Sequence, residues 1–176
     1  LPLKDMLPGW RRVVNEAANQ LGRQVRFVGE VGDSEIDRQI LDGLREPLMH
    51  VLRNAVDHGI ETPAQREAAG KSPLGTVKVR ARSVGTKVEL EIVDDGRGFD
   101  LDALFERAVA AGLTRAEARG TLSPREIADF AFSPGLSTAA QVSRISGRGV
   151  GLDVVRKRIS SLGGTTSLQL NRDGHG

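Results

Sequence analysis

The chain of 176 residues contains no cysteine, and aromatic residues make up only 3% of it, with no Tyr and a single Trp. The absence of cysteine excludes disulfides, thiolate zinc sites, iron–sulfur clusters and cysteine nucleophiles. The shortage of aromatic side chains leaves no apparent stacking surface for single-stranded nucleic acid. No apolar run approaches the roughly 18 residues of a membrane span, and no signal-peptide pattern opens the chain. We therefore expect a cytoplasmic protein with no direct membrane insertion.

Charge of one sign is not in excess either. The chain has 25 basic and 23 acidic residues and a formal net charge of +2, which disfavours a surface built to bind nucleic acid. With 39% hydrophobic residues, a chain of this length can bury its own core as one compact domain. Because it begins with Leu1, we expect it to be part of a longer protein. Glycine is abundant, with 21 residues that are clustered along the sequence.

The spacing of apolar residues predicts helices and short strands in mixed order. We expect a helix over 3–21 that becomes regular at Pro8 and stops at Gly22. Within the helical stretch 37–59, Pro47 is the expected start of a second helix. Further helices are predicted over 63–70 (capped by Thr62), 101–111, 124–131 and 150–162, and strands over 25–28, 76–82, 87–93 and 166–170. The two middle strands form a hairpin with one buried face. The expected fold class is an α/β sandwich, a mixed β-sheet with helices on one face.

A polar helix face is the first stretch that suggests chemistry. Four polar residues follow the spacing i, i+4, i+7 and i+8 and so share one face of a helix: His50, Asn54, Asp57 and His58. Imidazole, amide and carboxylate groups in this arrangement can hold a hydrated hard cation and phosphate oxygens. A solvated polar face explains this stretch equally well when it is considered alone.

Two glycine-rich segments suggest a ligand that the backbone approaches closely. Asp94-Asp95-Gly96-Arg97-Gly98 directly follows a predicted strand, where a carboxylate can accept a hydrogen bond from an exocyclic amine such as adenine N6. Considered alone, an Asp-Gly turn is the better interpretation of that segment. Gly147-Arg148-Gly149-Val150-Gly151 precedes a predicted helix whose first N–H groups can bind an anion. It matches neither the Walker A pattern nor the Rossmann fingerprint.

The segment between these glycine clusters has the composition of a lid. Phe130 and Phe132 mark its beginning, and Ser133-Pro134-Gly135-Leu136-Ser137-Thr138 follows. A glycine-containing loop beside a phosphate site is typical of a lid that closes on a nucleotide. An inert surface loop is the weaker interpretation, because two phenylalanines anchor its stem.

Taken together, these stretches resemble four sequence boxes of the histidine-kinase-type ATPases. HxxRNAxDHGIE at 50–61 is similar to the N box in the form found in CheA-type chemotaxis histidine kinases, and DDGRGFD at 94–100 resembles the G1 box. FxFSPGLST at 130–138 resembles the F box and lid, and SGRGVGLDVVR at 146–156 resembles the G2 box. Order and separations match over nearly the whole chain, so the resemblance implies a Bergerat-type ATP-binding fold.

The resemblance also implies a role for individual residues. Asn54 would bind Mg²⁺ through its side-chain oxygen, Asp94 would hydrogen-bond the adenine amine, and His50 would assist the incoming nucleophile. The implied catalytic residues are His50, His58 and Arg53, and the implied nucleotide-binding residues are Asn54, Asp57, Asp94, Gly96, Gly98, Phe132, Ser137, Thr138, Gly147, Arg148, Gly149, Val150 and Gly151. Two alternatives stay open for the arginines Arg53 and Arg148, which would either neutralise phosphate charge or pair with Asp57 and Asp153.

The implied activity is that of a protein histidine kinase in two-component signalling. Residues 23–176 would form the ATP-binding catalytic domain, and residues 1–22 would be a helical lead-in from the dimerisation region of a homodimer. The γ-phosphoryl group of ATP would pass to a histidine on a separate phosphotransfer domain, for relay to a response regulator. Contacts with a chemoreceptor and adaptor complex would lie in other domains.

The sequence departs from the family pattern at two places. Ala139 occupies a lid position where some relatives have Lys. The family usually adds another strand after the one predicted at 166–170, so we expect the sheet to be incomplete within this chain.

Two other functions are compatible with parts of this pattern. ATPase clamps such as Hsp90, MutL and gyrase B carry a Glu four residues before the metal-binding Asn, where it activates water. Here that position is His50, which favours the kinase. A nucleotide-free interaction module is disfavoured by the intact Asn54, Asp94 and box glycines, and nucleic-acid binding ranks last.

Overall fold

The structure, a computed structural model, describes residues 1–136 and 151–171. The chain divides into two compact units, the first containing Leu1–Gly98 and the second beginning at Phe99. Each unit has its own hydrophobic core. The predicted division into 1–22 and 23–176 is a different one and stays a prediction. In the two described ranges, no helix has the length and hydropathy of a membrane span.

The first unit is a three-stranded sheet with helices packed on one face. Its elements in chain order are a 3₁₀ turn Leu3–Met6, α1 Leu7–Leu21, β1 Val25–Glu30, α2 Arg38–Asn54, a π-helix Ala55–Gly59, α3 Pro63–Ala68, β2 Gly75–Val84 and β3 Lys87–Asp94. Strand β1 pairs parallel with β2, and β2 pairs antiparallel with β3. The predicted mixed sheet and its hairpin are therefore confirmed.

Helix α1 has the boundaries that local signals predict. Pro8 lies in its first turn, where a missing N–H removes no helical hydrogen bond. Gly22 ends it in the left-handed conformation at φ 65° and donates its N–H to the carbonyl of Ala18. The buried face of α1, which includes Trp10 and Val14, lies in the same core as the sheet and α2. Segment 1–22 thus contributes directly to the core of the first unit.

The prediction that Pro47 opens a second helix is wrong. Helix α2 runs without a break from Arg38 to Asn54 with Pro47 inside it, and the Asp37 side chain caps its start by accepting from the N–H of Gln39 at 2.8 Å. An interior proline costs about 3 kcal/mol, whereas burying one large apolar side chain contributes about 1.5–3 kcal/mol. The buried apolar side chains of α2 are Leu41, Leu48 and Leu52, and together they outweigh the proline.

The two faces of the sheet differ in character. Val77 and Val79 of β2 are buried against the helices. Residues of the opposite face form exposed cross-strand ion pairs: Lys78 with Glu30 at 3.2 Å, Arg80 with Glu30 at 3.0 Å, and Arg80 with Glu91 at 3.4 Å. Exposed pairs contribute little to stability, so the first unit depends on its single buried core.

The second unit is helical in its described residues. It contains α4 Leu101–Ala110, a 3₁₀ turn Ala116–Gly120, α5 Pro124–Asp129, a 3₁₀ turn Phe130–Phe132 and α6 Leu152–Ser161. Residues 166–170 do not form the predicted strand, because no described strand pairs with them. Arg156 binds this segment instead, donating to the Thr166 hydroxyl at 2.9 Å and to the Thr166 carbonyl at 3.2 Å.

We predict that Val14→Ala lowers the free energy of unfolding by about 2 kcal/mol, because two buried methyl groups are lost and leave a cavity. Val14 has 0% of its surface exposed. Denaturant unfolding followed by the fluorescence of the single Trp, the buried Trp10, measures the change. Arg12→Ala, on the exposed face of the same helix, is the control. Equal effects of the two substitutions would show that α1 does not share the core.

Candidate functional site

The polar face predicted at 50–58 begins with a contact between two side chains of α2. Asn54 Nδ2 lies 3.2 Å from His50 Nε2, as the i, i+4 spacing predicts. When the imidazole is neutral with its proton on Nδ1, its Nε2 accepts a hydrogen bond from the Asn54 amide. The amide oxygen of Asn54 then points to the other side, where it is suited to a hard cation. His50 thereby orients Asn54.

The last turn of the predicted helix is a π-helix, Ala55–Gly59. Its defining hydrogen bond runs from the N–H of Ile60 to the carbonyl of Ala55 at 2.9 Å. Ala55 and Val56 anchor this wide turn in the core, and Asp57 and His58 project from it, partly exposed. His58 Nε2 lies 3.8 Å from Asp57 Oδ2. The π-helix changes the register expected from a regular helix, a feature frequent at functional sites.

The loop after β3 packs directly against the π-helix. The N–H of Arg97 donates to the carbonyl of Gly59 at 2.9 Å, and the N–H of Gly96 donates to Asp94 Oδ1 at 2.9 Å. A Cβ on Gly96 would collide with the Gly59 carbonyl, and a Cβ on Gly59 would lie 2.8 Å from Asp94 Oδ1. Position 96 therefore requires glycine, whereas a Cβ at position 59 would displace the Asp94 carboxylate. This packing joins the first predicted box to the second.

Burial raises the pKa of Asp94 above its ordinary value of 3.8. The neighbouring charges of Asp95 and Glu61 raise it further, while the hydrogen bond from Gly96 and the charge of Lys71 oppose the shift. The ionised form of a desolvated carboxylate carries a free-energy cost. An N–H donor from a ligand lowers that cost, so the position of Asp94 is suited to binding an amine-bearing group.

Four charged residues to which the sequence analysis assigned no role are joined by ion pairs at this loop. We call them the loop network: Glu61, Arg66, Lys71 and Asp95. Arg66, with 2% of its side chain exposed, pairs with Glu61 at 3.1 Å and with Asp95 Oδ2 at 3.1 Å. Lys71 pairs with Glu61 at 2.8 Å. No local pattern separates a buried arginine from an exposed one, so only the tertiary structure identifies these residues.

The loop network also lowers the pKa of one of its own carboxylates, Glu61. Burial raises the pKa of Glu61, but the hydrogen bond from Lys71 and the charges of Lys71 and Arg66 outweigh it, and the net pKa is lowered. Glu61 is therefore held as a carboxylate between two cations.

The comparisons with known proteins agree with this geometry. A family model described as histidine kinase-, DNA gyrase B-, and HSP90-like ATPase matches residues 43–176. The chain belongs to this ATPase family. Its α/β fold class is the expected one, and membership of the family implies ATP as the ligand.

Curated relatives confirm the resemblance to the CheA-type proteins. Chemotaxis protein CheA of Rhizobium meliloti is 42% identical over 167 residues, covering 95% of this chain and 22% of that protein. The gliding motility regulatory protein of Myxococcus xanthus is 40% identical over 176 residues, covering 100% and 22%. Chemotaxis protein CheA of Treponema pallidum is 39% identical over 168 residues, covering 96% and 20%. The chain spans about a fifth of the length of these relatives.

A similarity to a solved structure is also found. The histidine kinase domain from Erythrobacter litoralis EL346 blue-light activated histidine kinase is 16% identical, covers 74% of this chain and 51% of that chain, and gives a TM-score of 0.41.

Only some of the predicted site residues belong to the ranges that the structure describes. In the first unit, His50 and Asn54 lie at the end of α2, Asp94 ends β3 and Gly96 follows it, and Gly98 turns the loop at φ 73°. The residues Ser137, Thr138, Ala139, Gly147, Arg148, Gly149 and Val150 lie outside the described residues.

Other predicted site residues have contacts of a different kind. Arg53 donates to Gln20 Oε1 of α1 at 2.8 Å, and within the described residues it forms no ion pair with Asp57. In the second unit, Phe132 is buried with the guanidinium of Arg156 at 3.5 Å from its ring centroid. Gly151 is the N-cap of α6. The nucleotide-binding roles of these residues stay predictions.

The donor set of this site fits a metal that is shared with a ligand. Across residues 1–136 and 151–171, no group of three or more acidic or histidine side chains is arranged to hold a metal ion. Asn54 offers one hard oxygen ligand beside the partly exposed Asp57. Mg²⁺ commonly takes one or two protein ligands and completes its shell with phosphates and water, so these residues fit Mg²⁺ bound together with a nucleotide.

We predict that the Asp94→Asn variant is more stable than the wild type and that this difference increases as pH rises. Below about pH 3.8, the carboxyl is protonated in both the folded and unfolded states. As pH rises, the unfolded state ionises first, and the raised pKa in the folded state makes ionisation there unfavourable. The free energy of unfolding of the variant should therefore exceed that of the wild type at neutral pH, and the difference should shrink as pH falls towards 3.

Denaturant titrations at several pH values measure this difference. Asp33→Asn, at an exposed turn of the same unit, is the matched control for the exchange of a carboxylate for an amide. A variant of Asp94 that is less stable than the wild type at pH 7 would contradict the assignment of a desolvated carboxylate.

Proposed function

We propose that this chain is the ATP-binding catalytic domain of a CheA-like histidine autokinase that passes the γ-phosphoryl group of Mg·ATP to a histidine of a separate phosphotransfer domain. The observation that carries the proposal is the imidazole of His50 beside Asn54, at 3.2 Å. ATPase clamps of the same family resemblance have a carboxylate at this position to activate water. An imidazole whose Nε2 accepts from an amide has no free basic nitrogen to activate water, and it can instead orient groups around the phosphates.

The base end of the site supports a preference for adenine. The carboxylate of Asp94 accepts hydrogen bonds and cannot donate them when ionised. Adenine presents an amine at C6, which donates, whereas guanine presents a carbonyl there, which accepts. No side chain at Gly59 or Gly96 separates the Asp94 carboxylate from the neighbouring backbone. This close contact keeps the carboxylate pointing in one direction.

The phosphate end of the site supports a shared Mg²⁺. When bound, Mg²⁺ would supply positive charge that offsets the negative charge developing on the phosphates during transfer. Asn54 would hold it through the amide oxygen, and His50 would keep that amide from rotating. Asp57 and His58, which project from the π-helix, would contact its water ligands or the phosphates.

The phosphoryl acceptor is proposed to lie outside this chain. Of its three histidines, His50 and His58 belong to the site itself, and His175 lies outside the described residues. In the transfer, the bond from the γ-phosphorus to the bridging oxygen breaks and a phosphorus–nitrogen bond forms with the acceptor imidazole. His50 would orient that imidazole, because its own Nε2 lone pair is engaged by the Asn54 amide. The transferred group is then proposed to pass to a response regulator.

The longer protein is proposed to resemble its relatives in organisation. Those relatives are about five times longer than the matched region, and two of the three are named chemotaxis proteins. We therefore place a phosphotransfer domain, dimerisation helices and receptor- or adaptor-binding regions elsewhere in a cytoplasmic homodimer, where ATP is available.

We predict that the chain binds ATP and ADP, and that Asp94→Asn weakens ATP binding at least tenfold at pH 7 because the amide is a weaker acceptor than a carboxylate. Isothermal titration calorimetry with ATP, ADP and GTP measures this, with Asp33→Asn as the control that leaves binding unchanged. Equal affinities for ATP and GTP would contradict the role of Asp94.

We predict slow ATP hydrolysis by the chain alone and phosphorylation of a supplied phosphotransfer domain. The product should be acid-labile and base-stable, as expected for phosphohistidine. Asn54→Asp should keep the fold but impair the transfer, because added negative charge disturbs the balance between metal and phosphates. Fast phosphate release without a partner, lost in His50→Ala, would instead favour an ATPase clamp.

A further inference from the structure

We propose that Lys71, which lies outside every recognised sequence box, is a positioning residue that sets the direction of the Asp94 carboxylate and thereby the preference for amine-bearing bases. This inference rests on the proposed function, because it concerns the base end of the same site. The observations that support it are the hydrogen bonds that charged side chains make to the peptide groups of the loop after β3.

Lys71 binds the backbone of this loop at two successive carbonyls. Its ammonium donates to the carbonyl of Gly96 at 2.8 Å and to the carbonyl of Asp95 at 3.2 Å. A third hydrogen bond, to Glu61 Oε2 at 2.8 Å, completes the set of three donors. With 13% of its side chain exposed, the ammonium has little competing water. Its position is therefore defined by these three acceptors.

Each of the two carbonyls belongs to a peptide plane whose N–H points the opposite way. The carbonyl of Asp95 shares its plane with the N–H of Gly96, which donates to Asp94 Oδ1 at 2.9 Å. The carbonyl of Gly96 shares its plane with the N–H of Arg97, which donates to the carbonyl of Gly59 at 2.9 Å. Because Lys71 binds both carbonyls, it fixes the orientation of both peptide planes. One N–H then points to the Asp94 carboxylate and the other points to the π-helix.

The rest of the loop network holds Lys71 in place. Glu61 accepts from Lys71 with one oxygen and from Arg66 with the other, at 2.8 and 3.1 Å. Arg66 also donates to the Asp95 carbonyl at 3.1 Å and to the Ser72 carbonyl at 2.6 Å. Arg66 is buried among these groups, so replacing it threatens the fold itself. Lys71 is the member whose replacement isolates the effect on the loop.

A purely structural role for Lys71 makes a different prediction. If it only stabilised the loop or added positive charge near phosphates, its loss would affect every nucleoside triphosphate equally. If it directs Asp94, its loss matters only for a base that donates to Asp94. Inosine triphosphate carries the same triphosphate as ATP but has a carbonyl at C6 in place of the amine. The ratio of the two affinities therefore separates the roles.

The test measures the affinities of the full chain for ATP and inosine triphosphate by calorimetry. We expect Lys71→Met to weaken ATP binding about tenfold, the effect of losing one directed hydrogen bond, and to change inosine triphosphate binding less than twofold. Lys78→Met, which removes a cation paired with Glu30 on the exposed face of the sheet, is the matched control and should change neither. Lys71→Arg keeps N–H donors for the two carbonyls, so it should retain most of the preference for ATP over inosine triphosphate.

The other outcomes contradict either the role of Lys71 or the proposed function. Equal weakening of both nucleotides, or no change in either, overturns the inference while leaving the proposed function intact. A wild-type chain that binds neither ATP nor ADP overturns the proposed function. Circular dichroism confirms folding before each titration, and Lys71→Gln, with the same expected ratio, replaces Lys71→Met if the latter does not fold.

Discussion

The close approach between the loop after β3 and the π-helix is the constraint on which the site of the first unit depends. Gly96 lies so near the Gly59 carbonyl that it has no room for a Cβ, and the hydrogen bond from Arg97 to Gly59 closes the contact. This contact places Asp94, from the end of a strand, beside the helix end that carries Asn54. A larger residue at Gly96 would push the loop away from the π-helix and separate the two polar groups.

The loop network orients the backbone of the loop after β3 more than it stabilises the fold. Moving an ion out of water costs several kcal/mol, and well-packed apolar residues often replace buried ion pairs without loss of stability. An apolar cluster, however, offers no donors to backbone carbonyls. Arg66 and Lys71 satisfy the carbonyls of Asp95, Gly96 and Ser72, so the loop can keep its peptide planes fixed although it belongs to no helix or strand.

Local chemistry made part of this structure predictable. Gly22 as a helix end, Thr62 as an N-cap and the hairpin of β2 and β3 depend on neighbours in sequence, and His50 contacts Asn54 as their spacing indicates. The errors arose where tertiary packing decides. Core burial carries α2 through Pro47, and Arg156 engages the segment that was expected to be a strand. The burial of Arg66 has no local signal at all.

The two ends of the site in the first unit differ in physical character, and the difference matches the tasks proposed for them. At the proposed base end, a partly buried carboxylate with a raised pKa accepts from the backbone N–H of Gly96, and distinguishing an amine from a carbonyl would require one fixed acceptor. At the π-helix, Asp57 and His58 remain partly exposed, and Asn54 lies against the imidazole of His50. A hydrated metal and phosphates supply much of their own geometry, so this end needs charge and one directed oxygen more than it needs a rigid, dry wall.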